Sequence, residues 1–119
     1  MSRNAQFAKP GLALTPPVFY VLLSLSIKER HGYEILKYVE GNSGGRVRLG
    51  PGTLYTTLKR MLDAGLISEL TERPEPENDD ARRRYYKLSQ RGRAELGAEL
   101  GRMQHALKLA GKRRVRAST

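Results

Sequence analysis

The chain contains no cysteine, which removes disulfides and thiolate-held metals at once. Its two histidines, His31 and His105, stand far apart without ligand-spaced partners, so no metal centre is expected. Acidic residues are scarce: 12 against 22 lysines and arginines, a formal charge of +10. That excess suits a polyanionic partner, nucleic acid before a membrane surface. Long apolar runs are missing too. The longest, from Val18 to Leu23, falls far short of the roughly 20 residues a membrane span needs. The opening "MSRNAQFAKPG" has no apolar stretch of signal-peptide length, and a cytoplasmic protein is expected. No nucleophile–base pair stands out, and "GPG" and "SGG" lack the spacing of a phosphate loop. Neither an enzyme nor a cofactor is expected.

What remains is a chain of 119 residues, 39% hydrophobic and 29% charged, enough for one small domain with a single core. Residues 1–13 read as a loose arm. In "LTPPVFYVLLSLSIKE" the valines and aromatics would suit a strand. Thr15 as N-cap and Pro16 in a first turn favour a helix instead. "HGYEILKYVEG" reads as a second helix that buries Ile35, Leu36 and Val39. A third runs from about Pro51 to Ala64, with Gly65 as its stop. The period then changes. "LISELTE" and "RRRYYKLS" predict strands over about 67–72 and 83–88, joined by a long loop, "RPEPENDDAR". Ser89 can cap a last helix from Gln90 to about Ala110, and the basic tail 111–119 is expected to be disordered. Three helices, a hairpin and a helix make a mainly α winged helix-turn-helix domain over 14–88, followed by a dimerisation helix over 89–110.

The third helix has two distinct faces. With Leu54 at zero on a helical wheel, Leu58, Met61 and Leu62 lie within about 80° of it and form the core side. Gly52, Thr53, Thr56, Lys59, Arg60 and Asp63 cluster opposite, with Tyr55 on the flank. Any surface helix has a polar face, but this one is small and uncharged at its N-terminal half. Arg46 and Arg48 in the preceding loop join Lys59 and Arg60, so residues 41–60 hold four positive charges and no negative one. Small residues for close approach, hydroxyls for base edges and flanking cations for phosphates are what major-groove reading requires. A recognition helix reads mostly from its N-terminal residues, here Thr53, Tyr55 and Thr56.

Arg82, Arg83 and Arg84 stand at the base of the second strand, placed for backbone phosphates. Glu75, Glu77, Asp79 and Asp80 make the hairpin tip acidic, which argues against its insertion into a minor groove. In the last helix Leu96, Leu100, Met103, Leu107 and Ala110 step by 4, 3, 4 and 3, an a/d seam. Two heptads do not hold a coiled coil alone. The first helix, apolar on more sides than so small a domain should bury, is the natural neighbour. Homodimerisation through these two helices is the expectation.

"HGYEI", "GPGTLYTTLKRMLDAGLI" and "RRRYYKLSQRGRAEL" together resemble the PadR family of bacterial transcriptional regulators, over about residues 12–110. The resemblance implies a winged helix domain whose C-terminal helix makes a homodimer, with one half-site of a palindromic double-stranded operator per subunit. It implies a repressor, often released from DNA by a small aromatic or drug-like effector. The family's recognition positions fall on Gly52, Thr53, Leu54, Tyr55 and Thr56, and Thr56 stands where many members have proline. The single last helix resembles the short subfamily. Some of its members stack a tryptophan of that helix on the effector; this chain has no tryptophan.

Two rivals stand beside the sequence-specific repressor. A non-specific nucleic-acid-binding or architectural protein would use the same charges and the tail "KRRVR". A protein-interaction module would leave the DNA face idle and employ the acidic tip.

Overall fold

A computed structural model describes residues 13–72 and 83–118. Residues 1–12 of the expected arm, the acidic wing tip and Arg82 lie outside the described residues. The elements run α1 (Pro16–Ile27), β1 (Arg30–His31), α2 (Gly32–Asn42), α3 (Pro51–Asp63), β2 (Ile67–Glu69), β3 (Tyr85–Leu88) and α4 (Gln90–Lys112). This is the expected mainly α fold with a small antiparallel sheet.

Capping sets most of the boundaries. Thr15 is extended and its Oγ1 accepts from the Val18 amide at 3.5 Å, while Pro16 and Pro17 occupy the first turn, where no amide is needed. The helix buries Val18, Val21, Leu22 and Leu25. Its buried Ser24 is satisfied, because the hydroxyl donates to the Val21 carbonyl at 2.7 Å. At α2, His31 Nδ1 accepts from the Glu34 amide at 3.4 Å and Glu34 Oε1 accepts from the His31 amide at 3.0 Å. That reciprocal pair is a capping box.

The expected two-stranded hairpin is a three-stranded sheet in the order β1-β3-β2. Arg30 pairs with Tyr86 and His31 with Tyr85 on one side of β3, and Ile67, Ser68 and Glu69 pair with Leu88, Lys87 and Tyr86 on the other. A strand of two residues has no alternation to display, and His31 serves at once as strand residue and helix cap. β2 and β3 are also shorter than their sequence signal, β2 stopping at Glu69 and β3 starting at Tyr85.

One core joins α1, α2, α3, the sheet and the start of α4. Leu54, Leu58 and Met61 come from α3, Ile35 and Val39 from α2, Tyr86 from β3 and Leu96 from α4. The domain covers much of α1: Phe19, Tyr20 and Leu23 are half-buried within the subunit, and only Ile27 among its large apolar residues is well exposed. Ser89 fixes where α4 departs. Its Oγ accepts from the Gly92 amide at 3.0 Å and donates to the Gly65 carbonyl at 2.6 Å, while its own amide donates to the Leu66 carbonyl. Past Leu96 the helix leaves the domain, and from Leu100 to Leu109 every residue is exposed.

Candidate nucleic-acid interface

The loop into α3 is shaped by Ser43 and two glycines. Gly44 and Gly45 have φ of 65° and 77°, left-handed values that disfavour a Cβ. Buried Ser43 Oγ accepts from the Val47 amide at 2.9 Å and holds the turn from inside. Arg46 and Arg48 are exposed on it. Arg48 does have an acid nearby: its Nε lies 3.7 Å from Glu40 Oε2. The sequence window 41–60 ends one residue short of that partner, which α2 brings back against the loop. Arg46 forms no ion pair among the described residues.

α3 starts at Gly50, extended and without a side-chain cap, and Pro51 has no amide to satisfy. Leu54, Leu58 and Met61 face the core as expected. Gly52, Thr53, Thr56, Lys59, Arg60 and Asp63 are all exposed on the other side. A Cβ at Gly52 would meet nothing within 4 Å. Alanine there would fit without a clash, so packing within the subunit gives no reason for glycine. Its bareness instead leaves the first turn open to an outside surface.

Thr56 Oγ1 donates to the Gly52 carbonyl at 3.0 Å; its two lone pairs can still accept from a base amino group. Lys59 and Asp63 lie 3.5 Å apart and are both well exposed, a pairing weak enough for a phosphate to replace. Arg60 lines a recess of about 360 Å³ with Thr15, Leu49, Thr53 and Thr57, between the start of α1 and α3. Tyr55 is 52% exposed, yet its hydroxyl rests over Gly32 at the start of α2.

At the wing, Arg83 and Arg84 are exposed. Arg84 Nε lies 3.6 Å from Glu69 Oε2 on the neighbouring strand, and Arg84 hydrogen-bonds the Tyr86 hydroxyl. Burial raises the Tyr86 pKa above its ordinary value, and Glu69 and Tyr55 add to the rise while Arg84 opposes it. Neither Tyr86 nor Gly32 stood out as a functional residue in the sequence; the "HGYEI" motif was the available signal for the second.

The seam of α4 divides. Leu96 is 4% exposed and packs in its own subunit's core, so it does not belong to the expected dimer face; it falls within the first two turns, still under the domain. Leu100, Met103 and Leu107 are 38%, 40% and 57% exposed along the free part of the helix.

The sequence profile described as the transcriptional regulator PadR-like family matches residues 21–98. The chain belongs to the PadR-like family. No curated protein matches the sequence. Among solved structures, a PadR family transcription regulator from a hypervirulent Clostridium difficile is 25% identical with a TM-score of 0.66, over 85% of this chain and all (100%) of that one. Bacillus subtilis PadR in complex with operator DNA is 26% identical with a TM-score of 0.58, over 69% of this chain and 45% of that one. RosR from H. salinarum shares the fold at 22% identity and a TM-score of 0.65, over 79% of this chain and 77% of that one. The PadR-like fold and the three-part motif thus coincide on the same residues. Among the described residues no helix is long and apolar enough to cross a membrane, and no cluster of His, Asp or Glu could hold a metal.

Proposed function

We propose that this PadR-like chain is a homodimeric, sequence-specific repressor that reads a palindromic operator through the outer face of α3. The observation that carries the reading is the uncapped, glycine-led start of that helix, where a Cβ at Gly52 would meet nothing within 4 Å, flanked by cations. Thr53 and Thr56 address base edges in the major groove. Arg46, Arg48, Lys59, Arg60 and the wing-base arginines Arg82, Arg83 and Arg84 address phosphates, which position the helix without carrying sequence information. The operator-bound Bacillus subtilis PadR supports the same use of this fold. A regulator of this kind works in the cytoplasm, where the operator is.

The dimer forms through the free part of α4. An exposed helical stretch of this kind, from Leu100 to Leu109, is marginal in water by itself, and Leu100, Met103, Leu107 and Ala110 line one side of it. A twofold pairing on that stripe gives two recognition helices and hence a palindromic site. Leu14, Pro16, Phe19, Tyr20, Glu99 and Met103 border a recess of about 250 Å³ between α1 and α4. That is below the usual size of a small-molecule site, so a second subunit would complete it for an aromatic or drug-like effector that relieves repression.

Fluorescence-anisotropy titration on the DNA upstream of its own gene, with a scrambled duplex as competitor across a salt series, tests the reading. Preference for a palindromic site by ~10³ or more, weakened by Thr56→Ala, supports it. Lys108, Lys112, Arg113, Arg114 and Arg116 are exposed together at the end of α4 and favour the non-specific alternative. Binding that follows salt and ignores sequence, as counterion release alone gives, would select it.

A further inference from the structure

Tyr55 carries a donor at the edge of the reading face, yet its hydroxyl sits over the backbone of Gly32. A Cβ on Gly32 would lie 2.9 Å from the Tyr55 hydroxyl oxygen, 3.3 Å from its Cζ and 3.5 Å from Leu54 Cδ2. Real Cβ atoms do not come that close to oxygen, so the phenol rests there only because the residue is glycine. Gly32 is buried and follows directly on β1, whose His31 stacks edge-on against Tyr85 at 5.2 Å. The first turn of α2 and α3 therefore meet at this one side chain.

We infer that Gly32 is a positioning residue for DNA reading: it seats Tyr55, and the seated ring sets the roll of α3 relative to α2. This rests on the DNA reading above and gives Tyr55 the task of a spacer instead of a base contact. A roll of about 20° moves side-chain tips at the helix surface by roughly 2 Å, beyond what a base-edge hydrogen bond tolerates. If the ring swings out instead, it stands on the flank of the reading face and obstructs the groove. Either response to a methyl at Gly32 impairs specific binding and leaves phosphate contacts in place.

The test compares wild type, Gly32→Ala, Tyr55→Phe and the double variant, by affinity for the duplex selected from a random library, affinity for scrambled duplex, and thermal unfolding. Tyr55→Phe should stay within about twofold of wild type, because no base uses the hydroxyl. Gly32→Ala should lose specific affinity roughly tenfold with scrambled-duplex binding unchanged, and the double variant should regain most of it, the signature of coupled sites. Loss of discrimination at one base pair in Tyr55→Phe would make the hydroxyl a base contact and overturn the proposal. So would a Gly32→Ala protein that binds as wild type, or a double variant without recovery. A wild type with no preferred duplex would overturn the DNA reading and this role with it. The thermal cycle still separates the two failures, since it needs no DNA: non-additive melting shifts establish the seat, and additive ones remove it.

Discussion

Gly92 and Tyr86 show how much a single side chain, or its absence, decides. A Cβ at Gly92 would overlap the Leu66 carbonyl oxygen and press on Leu88 Cδ1, with backbone on the unyielding side. Gly92→Ala should therefore cost roughly 3 kcal/mol, read as a lower midpoint in urea unfolding. The glycine–arginine pair of the motif marked the position, but its cause is a contact between residues 26 apart in sequence (92 − 66), which no local pattern encodes. Tyr86 is buried with its pKa raised above 10.0, chiefly by burial. A raised acid pKa means the folded state holds its proton more tightly. That stabilisation is complete below pH 10.0, the unfolded value, and disappears as pH rises through the folded one. An alkaline series of urea melts should show wild type losing more stability than Tyr86→Phe, whose difference isolates this phenol. Arg48 was equally opaque: only the fold reveals that Glu40 lies beside it.

Elements with caps were legible. Thr15 with two prolines, Pro51 with Gly65 and the hydroxyl of Ser89 all announced helices whose starts the structure keeps. β1 was not, because two residues borrow their strand character wholly from β3. Ser89→Ala removes an N-cap and the link to Gly65, and should cost about 1–2 kcal/mol in chemical unfolding. The far end of α4 differs from its sequence signal. The helix continues to Lys112 instead of stopping at Ala110, and the chain turns back where disorder was expected. The Val115 amide donates to the Ala110 carbonyl at 3.0 Å and the Arg114 amide to the Gly111 carbonyl at 3.1 Å, a Schellman motif. Arg114 holds its left-handed position at φ 64°. With Arg in the place glycine prefers, no residue announced the turn in advance. Arg114→Gly should stabilise this end by up to about 1 kcal/mol, seen as slower amide exchange over the last turn.

At the scale of the whole molecule the proposed dimer rests on the exposed stripe of α4. Leu100→Asp with Met103→Asp should leave a folded protein that runs as a monomer in light scattering and binds operator DNA weakly. A variant that stays dimeric would move the interface elsewhere. The seam's spacing was visible in sequence, but where the subunit ends along it was not: Leu96 and Leu100 differ by one turn, and only the packed domain separates inside from outside. The clamp at the root of α4 has a mechanical consequence. Ser89 and Gly92 weld the helix to residues 65–66, the turn that leaves α3. Its 23 residues form a rod about 34 Å long, so under the DNA reading proposed above it is a lever with α3 at its fulcrum. A tilt of about 10° at the clamp sweeps the free end through about 6 Å over such a length. Conversely, what happens at the far end reaches the reading face geared down: large, easily driven displacements there become small, forceful rotations of α3.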